Sequence, residues 1–251
     1  MKLLIIRHGD PNYDIDSLTP KGWKEVEYLS ERIARLDIRD FYVSPYGRAK
    51  DTASLTLKKM GRTATECEWL REFTPKIVRP DRGPVPAAVC WDWLPQDWMK
   101  EEDFFYYDRW MNPKVMQDGH VGEEYKWVTD SLDELLARYG YVREGHYYRV
   151  EESNNDTIAF FCHFGLGCVL ISHLIGVSPM VLWHGLCAAP SSVAVLNTEE
   201  RRQGIASFRM SEYGDISHLY ANDEPPAFAA RFCERYENEE ERRFSERDRQ
   251  V

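Results

Sequence analysis

Leu3-Leu4-Ile5-Ile6-Arg7-His8-Gly9 is the stretch on which the fold turns. Four consecutive apolar residues have the length and composition of a strand buried on both faces, the kind found in parallel sheets covered by helices. The run stops at an arginine and a histidine. In open α/β sheets ligands bind beyond the carboxyl ends of the strands, so these two side chains fall where chemistry is expected.

Downstream, Leu18-Thr19-Pro20 opens a helix, with Thr19 as N-cap and Pro20 at the first helical position. Trp23, Val26, Leu29, Ile33 and Leu36 recur at helical spacing and supply its apolar face. Phe41-Tyr42-Val43 reads as a second strand ended by Ser44-Pro45, and a helix from about Gly47 to Met60 follows, with Ala49, Thr52, Ala53 and Leu57 at helical intervals. Thr65–Glu68 is a further short strand. Thr157–Cys162 is the third strong strand, followed by a helix over Leu166–Ile175 that Gly176 ends. Ser192–Asn197 and Gly204–Met210 are β-rich. This alternation predicts a three-layer α/β/α fold around a doubly wound, mostly parallel sheet.

Between Thr74 and Tyr148 the pattern changes. Pro75, Pro80, Pro84, Pro86 and Pro95 alternate with Trp91, Trp93, Trp98, Trp110 and Trp127 and with Phe104-Phe105-Tyr106-Tyr107. We read residues 74–148 as an insertion capping the strand ends; packing onto the sheet or a homodimer interface is the alternative. The charge run over 234–251 reads as a solvated helix or a disordered end. Residues 1–251 are thus expected to form one domain with a cap-like insertion.

The formal net charge of -10 opposes a nucleic-acid partner or an anionic membrane surface, both of which call for a basic footprint. An anionic substrate would have to be captured by a local arginine cluster. The first apolar run is too short for a signal peptide and nothing approaches a membrane span, so the expected location is cytoplasmic. The six cysteines show no zinc-type spacing and no disulfide framework, and no metal or other cofactor is expected.

Three segments carry the chemistry: Arg7-His8-Gly9, Ser44-Pro45-Tyr46-Gly47-Arg48 and Phe161-Cys162-His163-Phe164-Gly165. Each sets a cationic or titratable side chain just past a strand, so a parallel sheet brings all three together. Arg7 and Arg48 would grip a phosphoryl group through charge-assisted hydrogen bonds. His8 would attack phosphorus, and His163 would stabilise charge on the equatorial oxygens. Gly9 would let the chain turn tightly beside the anion. Glu72 is the candidate general acid for the leaving alcohol, with Glu66, Glu68 and Glu102 as rivals. His184 and His218 read as structural, and His120, His146 and His173 show no partner pattern.

In order and spacing these motifs resemble the histidine phosphatase, or phosphoglycerate mutase-like, superfamily. The resemblance covers roughly Met1–Phe73 and Thr157–Leu219. Arg7-His8-Gly9 looks like the signature whose histidine is phosphorylated, Ser44-Pro45 with Arg48 resembles the Ser-Pro-x-x-Arg block, and His163 corresponds to the second histidine. Gly214-Asp215-Ile216-Ser217-His218-Leu219 looks like the closing segment. The chain departs from the pattern at Asp10-Pro11-Asn12-Tyr13, where Asn12 stands for the phosphate-contacting asparagine at a different spacing. Phe164 also takes the place where acid-phosphatase-like branches carry a proton-donating aspartate, which returns the acid role to Glu72.

The resemblance implies a metal-independent phosphatase that hydrolyses a small phosphate monoester through a phosphohistidine on His8. The alternatives are mutase-type phosphotransfer and a non-catalytic phospholigand-binding protein.

Overall fold

β1 (Lys2–Arg7) is apolar from Leu3 to Ile6 because its alternate side chains enter two different cores. Leu4 and Ile6 join one with Leu29, Ile33, Ala49 and Phe161, while Leu3 and Ile5 join the other with Leu132, Phe160 and Leu170. The computed structural model describes residues 1–80 and 87–227. Pro84, Pro86, Cys233 and the charged segment 234–251 lie outside the described residues.

One layer comprises α1 (Pro20–Ile33) and α2 (Gly47–Met60). The sheet adds β2 (Asp40–Val43), β3 (Thr65–Glu66), β4 (Tyr141–Glu144), β5 (Tyr147–Val150), β6 (Thr157–Cys162), β7 (Val193–Arg202) and β8 (Ile205–Asp215). Its order is β3-β2-β6-β1-β7-β8-β5-β4. The four strands from β3 to β1 run parallel, and from β7 onward each pairing is antiparallel, so the sheet is mixed around a parallel core. The opposite layer holds α3 (Val121–Ala137) and α4 (Phe164–Ile175).

Register sets the site. Arg7 pairs with Cys162 and Val43 with Phe161, so β1, β2 and β6 end level with one another. The residues just past those ends are His8, Ser44 and His163.

Local signals set most element limits. Thr19 caps α1 by accepting from the Gly22 amide, and Gly176 ends α4 in the left-handed region at φ 72°. Two details of α1 differ from the periodicity. Trp23 is 37 % exposed because Gly22, with no side chain, is the residue on which the Asp10 backbone closes. Leu36, 38 % exposed, lies beyond the helix end at Ile33. The strand expected over Thr65–Glu68 stops at Glu66, and a short 3-10 turn over Glu68–Leu70 replaces its end.

Residues 74–148 supply α3 and the edge strands β4 and β5, the latter pairing with β8 through Tyr148 and Ala206. Trp93, Trp98 and Trp110 are buried, so they pack the chain onto itself instead of forming an exposed patch. Trp110 meets Tyr125 and Trp183 edge to face, with ring centroids 5.1 and 5.7 Å apart. Aromatic burial of this kind makes truncation cost roughly 3–5 kcal/mol. Among the described residues no helix is long and apolar enough to cross a membrane, and Cys67, Cys90, Cys162 and Cys168 form no disulfide.

Candidate active site

Past β1 the chain is gripped on both sides: the His8 amide donates to the Cys162 carbonyl, and the His8 carbonyl accepts from the Ser191 amide. The ring is 2 % exposed. Its Nδ1 lies 2.8 Å from the Gly9 carbonyl, which can only accept, so Nδ1 carries the proton and Nε2 keeps the lone pair. Burial, then the adjacent Arg7 and more weakly Arg48, holds the ring well below its ordinary 6.5, against the opposing pull of the Gly9 carbonyl. His8 is therefore a neutral imidazole at neutral pH. Gly9 is needed for space and not for a left-handed φ: a Cβ there would stand 2.9 Å from Val26 Cγ1 and 3.0 Å from the Gly22 carbonyl.

Arg7 ends β1 with its Nη1 on the Ala188 carbonyl and its guanidinium 5.8 Å from the Phe164 ring centre. His163 occupies the N-cap position of α4, 1 % exposed, with its ring centre 5.2 Å from that of His8. Ser44, fully buried at the end of β2, lies 2.7 Å from His163 Nε2 and accepts from the Tyr46 amide. In the tautomer in which the Ser44 hydroxyl donates to Nε2, Nδ1 carries the proton, and Nδ1 is buried without a partner. Burial, followed by His8, Arg48 and Arg7, holds His163 well below 6.5 too. The Tyr46 ring stands edge-on to it at 5.2 Å.

Arg48 projects from the first turn of α2 between the rings of Tyr46 and Tyr13, at 4.8 and 5.4 Å. Its Nη1 donates to Asp16 Oδ1 at 2.6 Å, and its Nε is buried without a partner. The other Asp16 oxygen accepts from the Gly47 amide at 2.7 Å. Thr52, one turn along α2, holds the Gly9 amide. Asn12 lies on the same loop as Asp16, where its Oδ1 accepts from the Asp14 amide.

Glu72 is no surface carboxylate. One oxygen accepts from the Phe73 and Leu166 amides at 2.9 and 2.8 Å, the other from Gly165 at 3.4 Å, so it sits against the N-terminus of α4. Burial raises its pKa from 4.5, while the three amides and Arg7 pull against that rise. Of its rivals, Glu66 is exposed and paired with Lys50, and Glu102 is exposed near Tyr106. A cleft of about 360 Å³ runs from Tyr46 past Arg71, Thr74 and Pro75 to His120, Glu123 and Glu124.

The remaining histidines have partners that sequence spacing does not reveal. His120 bonds Glu123 at the cleft, His146 lies against Tyr107, and His173 bridges Tyr107 and Asp133. His184 accepts from the Trp93 amide and donates to the Met180 carbonyl, pinning the chain around Trp93. His218 contacts Ser191, the residue that holds the His8 carbonyl. Three neighbours of the cluster went unassigned in the sequence: Asp16, Tyr46 and Thr52. Ser44 was visible only as part of a motif. Arg7, His8, Arg48 and His163 converge as expected, with Glu72 adjoining the strand ends, and the result is a buried, cationic cluster fit to hold an anion.

Comparison with curated protein sequences finds no match. Residues 3–77 match the histidine phosphatase superfamily (branch 1). Among solved structures, a mutant phosphoserine phosphatase from Entamoeba histolytica in complex with phosphoserine is similar with a TM-score of 0.54 and 17% identity, over 87% of this chain and 98% of that one. A mycobacterial glucosyl-3-phosphoglycerate phosphatase is similar with a TM-score of 0.56 and 13% identity, over 85% and 98%. At such identities the likeness is one of fold. The family match thus covers the motif-bearing N-terminal segment, and the fold of these phosphatases is shared over most of the chain's length.

Proposed function

We propose that the protein is a phosphatase that hydrolyses a phosphate monoester through a phosphohistidine on His8. The observation that carries this reading is a pair of buried nitrogens without partners in one cluster, Arg48 Nε and His163 Nδ1. Burying such groups unsatisfied is costly, and phosphoryl oxygens would accept from both.

His8 Nε2 supplies the lone pair that forms the N–P bond as the P–O bond to the leaving alcohol breaks. The neutral ring gives that nitrogen its nucleophilicity, and the Gly9 carbonyl holds the other edge. Arg7, Arg48 and His163 stabilise the charge spread over the equatorial oxygens. Glu72, with its raised pKa, donates the proton to the leaving oxygen and then, as a carboxylate, accepts one from the water that breaks the N–P bond and releases phosphate. These steps run on side chains alone. Asn12 is assigned a secondary contact to the phosphoryl group. The cleft from Tyr46 to Glu124 is polar, which favours a small hydrophilic leaving group there.

The test is hydrolysis of p-nitrophenyl phosphate with acid-sensitive label trapped on the protein after a rapid quench. Wild type is expected to turn over and to carry label, and His8→Ala to do neither. Undiminished hydrolysis by His8→Ala overturns the reading. The pH profile follows from the two shifted groups. Protonation of His8 removes the nucleophile on a limb well below 6.5, and ionisation of Glu72 removes the acid on a limb above 4.5, so kcat/KM should fall on both sides of a maximum.

A further inference from the structure

Arg48 is useful to a phosphoryl group only if the correct edge of its guanidinium faces it. Side-on recognition uses the Nε and Nη2 hydrogens, which lie parallel on one edge, whereas Nη1 points away beside Cδ. Asp16 takes Nη1, and the Nε on the other edge is buried and unpartnered.

We infer that Asp16 is a positioning residue for the phosphoryl site: its carboxylate anchors Arg48 by Nη1 and presents the Nε/Nη2 edge to the transferring group.

The local structure serves that contact. Asp16 sits in the left-handed region at φ 47°, a conformation that aspartate adopts more readily than most residues. Its other oxygen is bound by the Gly47 amide at the start of α2, so the carboxylate is fixed at both ends and both its oxygens are engaged. A side chain at position 47 would collide with the Asp16 carbonyl, so glycine is what lets the loop approach the helix this closely. The next residue, Ser17, donates to Asp51 on α2, and Leu18 and Ser17 pair with Pro11 and Asn12. The loop that carries Asp16 is thereby tied at one end to the helix bearing Arg48 and at the other to the segment leaving His8. Tyr13 and Tyr46 flank the guanidinium and restrict its swing.

A carboxylate at this place also offsets one of the two arginine charges. That lowers the hold on the product anion without taking a donor from the Nε edge.

The inference rests on the phosphatase reading, and the experiment separates the two. Wild type is first tested for p-nitrophenyl phosphate hydrolysis and for orthovanadate inhibition; failure of both overturns the phosphatase reading and this inference with it. Asp16→Ala, Asp16→Asn, Arg48→Ala and the double variant Asp16→Ala/Arg48→Ala are then compared, with thermal melts to confirm folding. Asp16→Ala should lower kcat/KM by about 10- to 100-fold, chiefly in kcat, because a misaligned donor is felt most in the transition state. Asp16→Asn, which keeps one acceptor oxygen, should recover part of that loss. The double variant should be no slower than Arg48→Ala, since a residue acting through another has nothing left to position. Unchanged or faster turnover in Asp16→Ala, or losses that multiply in the double variant, would overturn the inference.

Discussion

The two ends of α4 carry two histidine clusters that resemble each other in composition and differ in completeness. At the N-terminal end His163 lies among His8, Arg48, Ser44 and Glu72, and its Nδ1 has no partner. Near the C-terminal end His173 bonds Tyr107 through Nδ1 at 3.1 Å and Asp133 through Nε2 at 2.8 Å, while Tyr148 donates to the other Asp133 oxygen. Arg143 closes that network on Tyr148 and on the His173 carbonyl. Both clusters are buried and polar, but the second satisfies both nitrogens of its histidine and the first does not. Partnerless buried atoms also occur singly, at Thr56, Trp110 and His218 for example. What marks the first cluster is that two of them, on Arg48 and His163, stand beside a neutral imidazole and a second arginine. A buried network that satisfies itself holds a fold together, whereas one that leaves donors open is completed by a ligand.

That contrast can be broken most directly at His8. Replacement by alanine should cut turnover by at least about a thousand-fold, because it removes the proposed nucleophile while Arg7 and Arg48 continue to bind phosphate. Steady-state assays with a phosphate-binding control check both halves, and loss of phosphate binding along with turnover would show that His8 supports the cluster's structure and not only its chemistry. Arg48→Ala should leave the fold intact and lower kcat by about 100- to 1,000-fold. Unchanged turnover would show that Arg48 does not act on the transferring group.

At the other end of α4, His173→Leu should cost roughly 1–3 kcal/mol of stability in urea unfolding, by leaving Asp133 short of a donor, with turnover within about twofold of wild type. Loss of turnover in a folded His173→Leu protein would erase the distinction between the two ends.

Furthest from the candidate site's chemistry is a pH dependence at Glu25, a buried carboxyl that accepts from the amides of Asp10 and Ala227. Burial raises its pKa from 4.5 to about 7, against the hydrogen bond from the Asp10 amide; the Asp10 carboxylate adds to the rise, and Lys21 and the Ala227 amide oppose it. The folded state thus favours the protonated form. The stabilisation is full below 4.5 and is lost as pH rises through about 7, on the order of 3 kcal/mol at most. Glu25→Gln should flatten that slope in denaturation measured across the same interval. An unchanged slope would show that another group sets it.

Much of the frame was legible before any coordinates. The limits of α2 and β6, the cap at Thr19 and the stop at Gly176 follow from apolar period and turn chemistry, which act over a few residues. So did the convergence of Arg7, His8, Arg48 and His163, because parallel strands of one sheet end on one side. The aromatic stretch was legible only as a change of composition. Its edge strands depend on pairing with β8, which lies more than fifty residues further along the chain.

The sequence by itself determined which residue types stand just past three strand ends, since local hydrophobic pattern dictates where a strand stops. The tertiary structure alone decided what those side chains bond to. Ser44 reaches His163 across 119 positions, Asp16 reaches Arg48 across 32, and Glu72 meets the amides of α4 from 93 and 94 positions away. Such partnerships are fixed by strand register and by the close approach that Gly9, Gly22 and Gly47 permit, and no property of a short window of sequence encodes either.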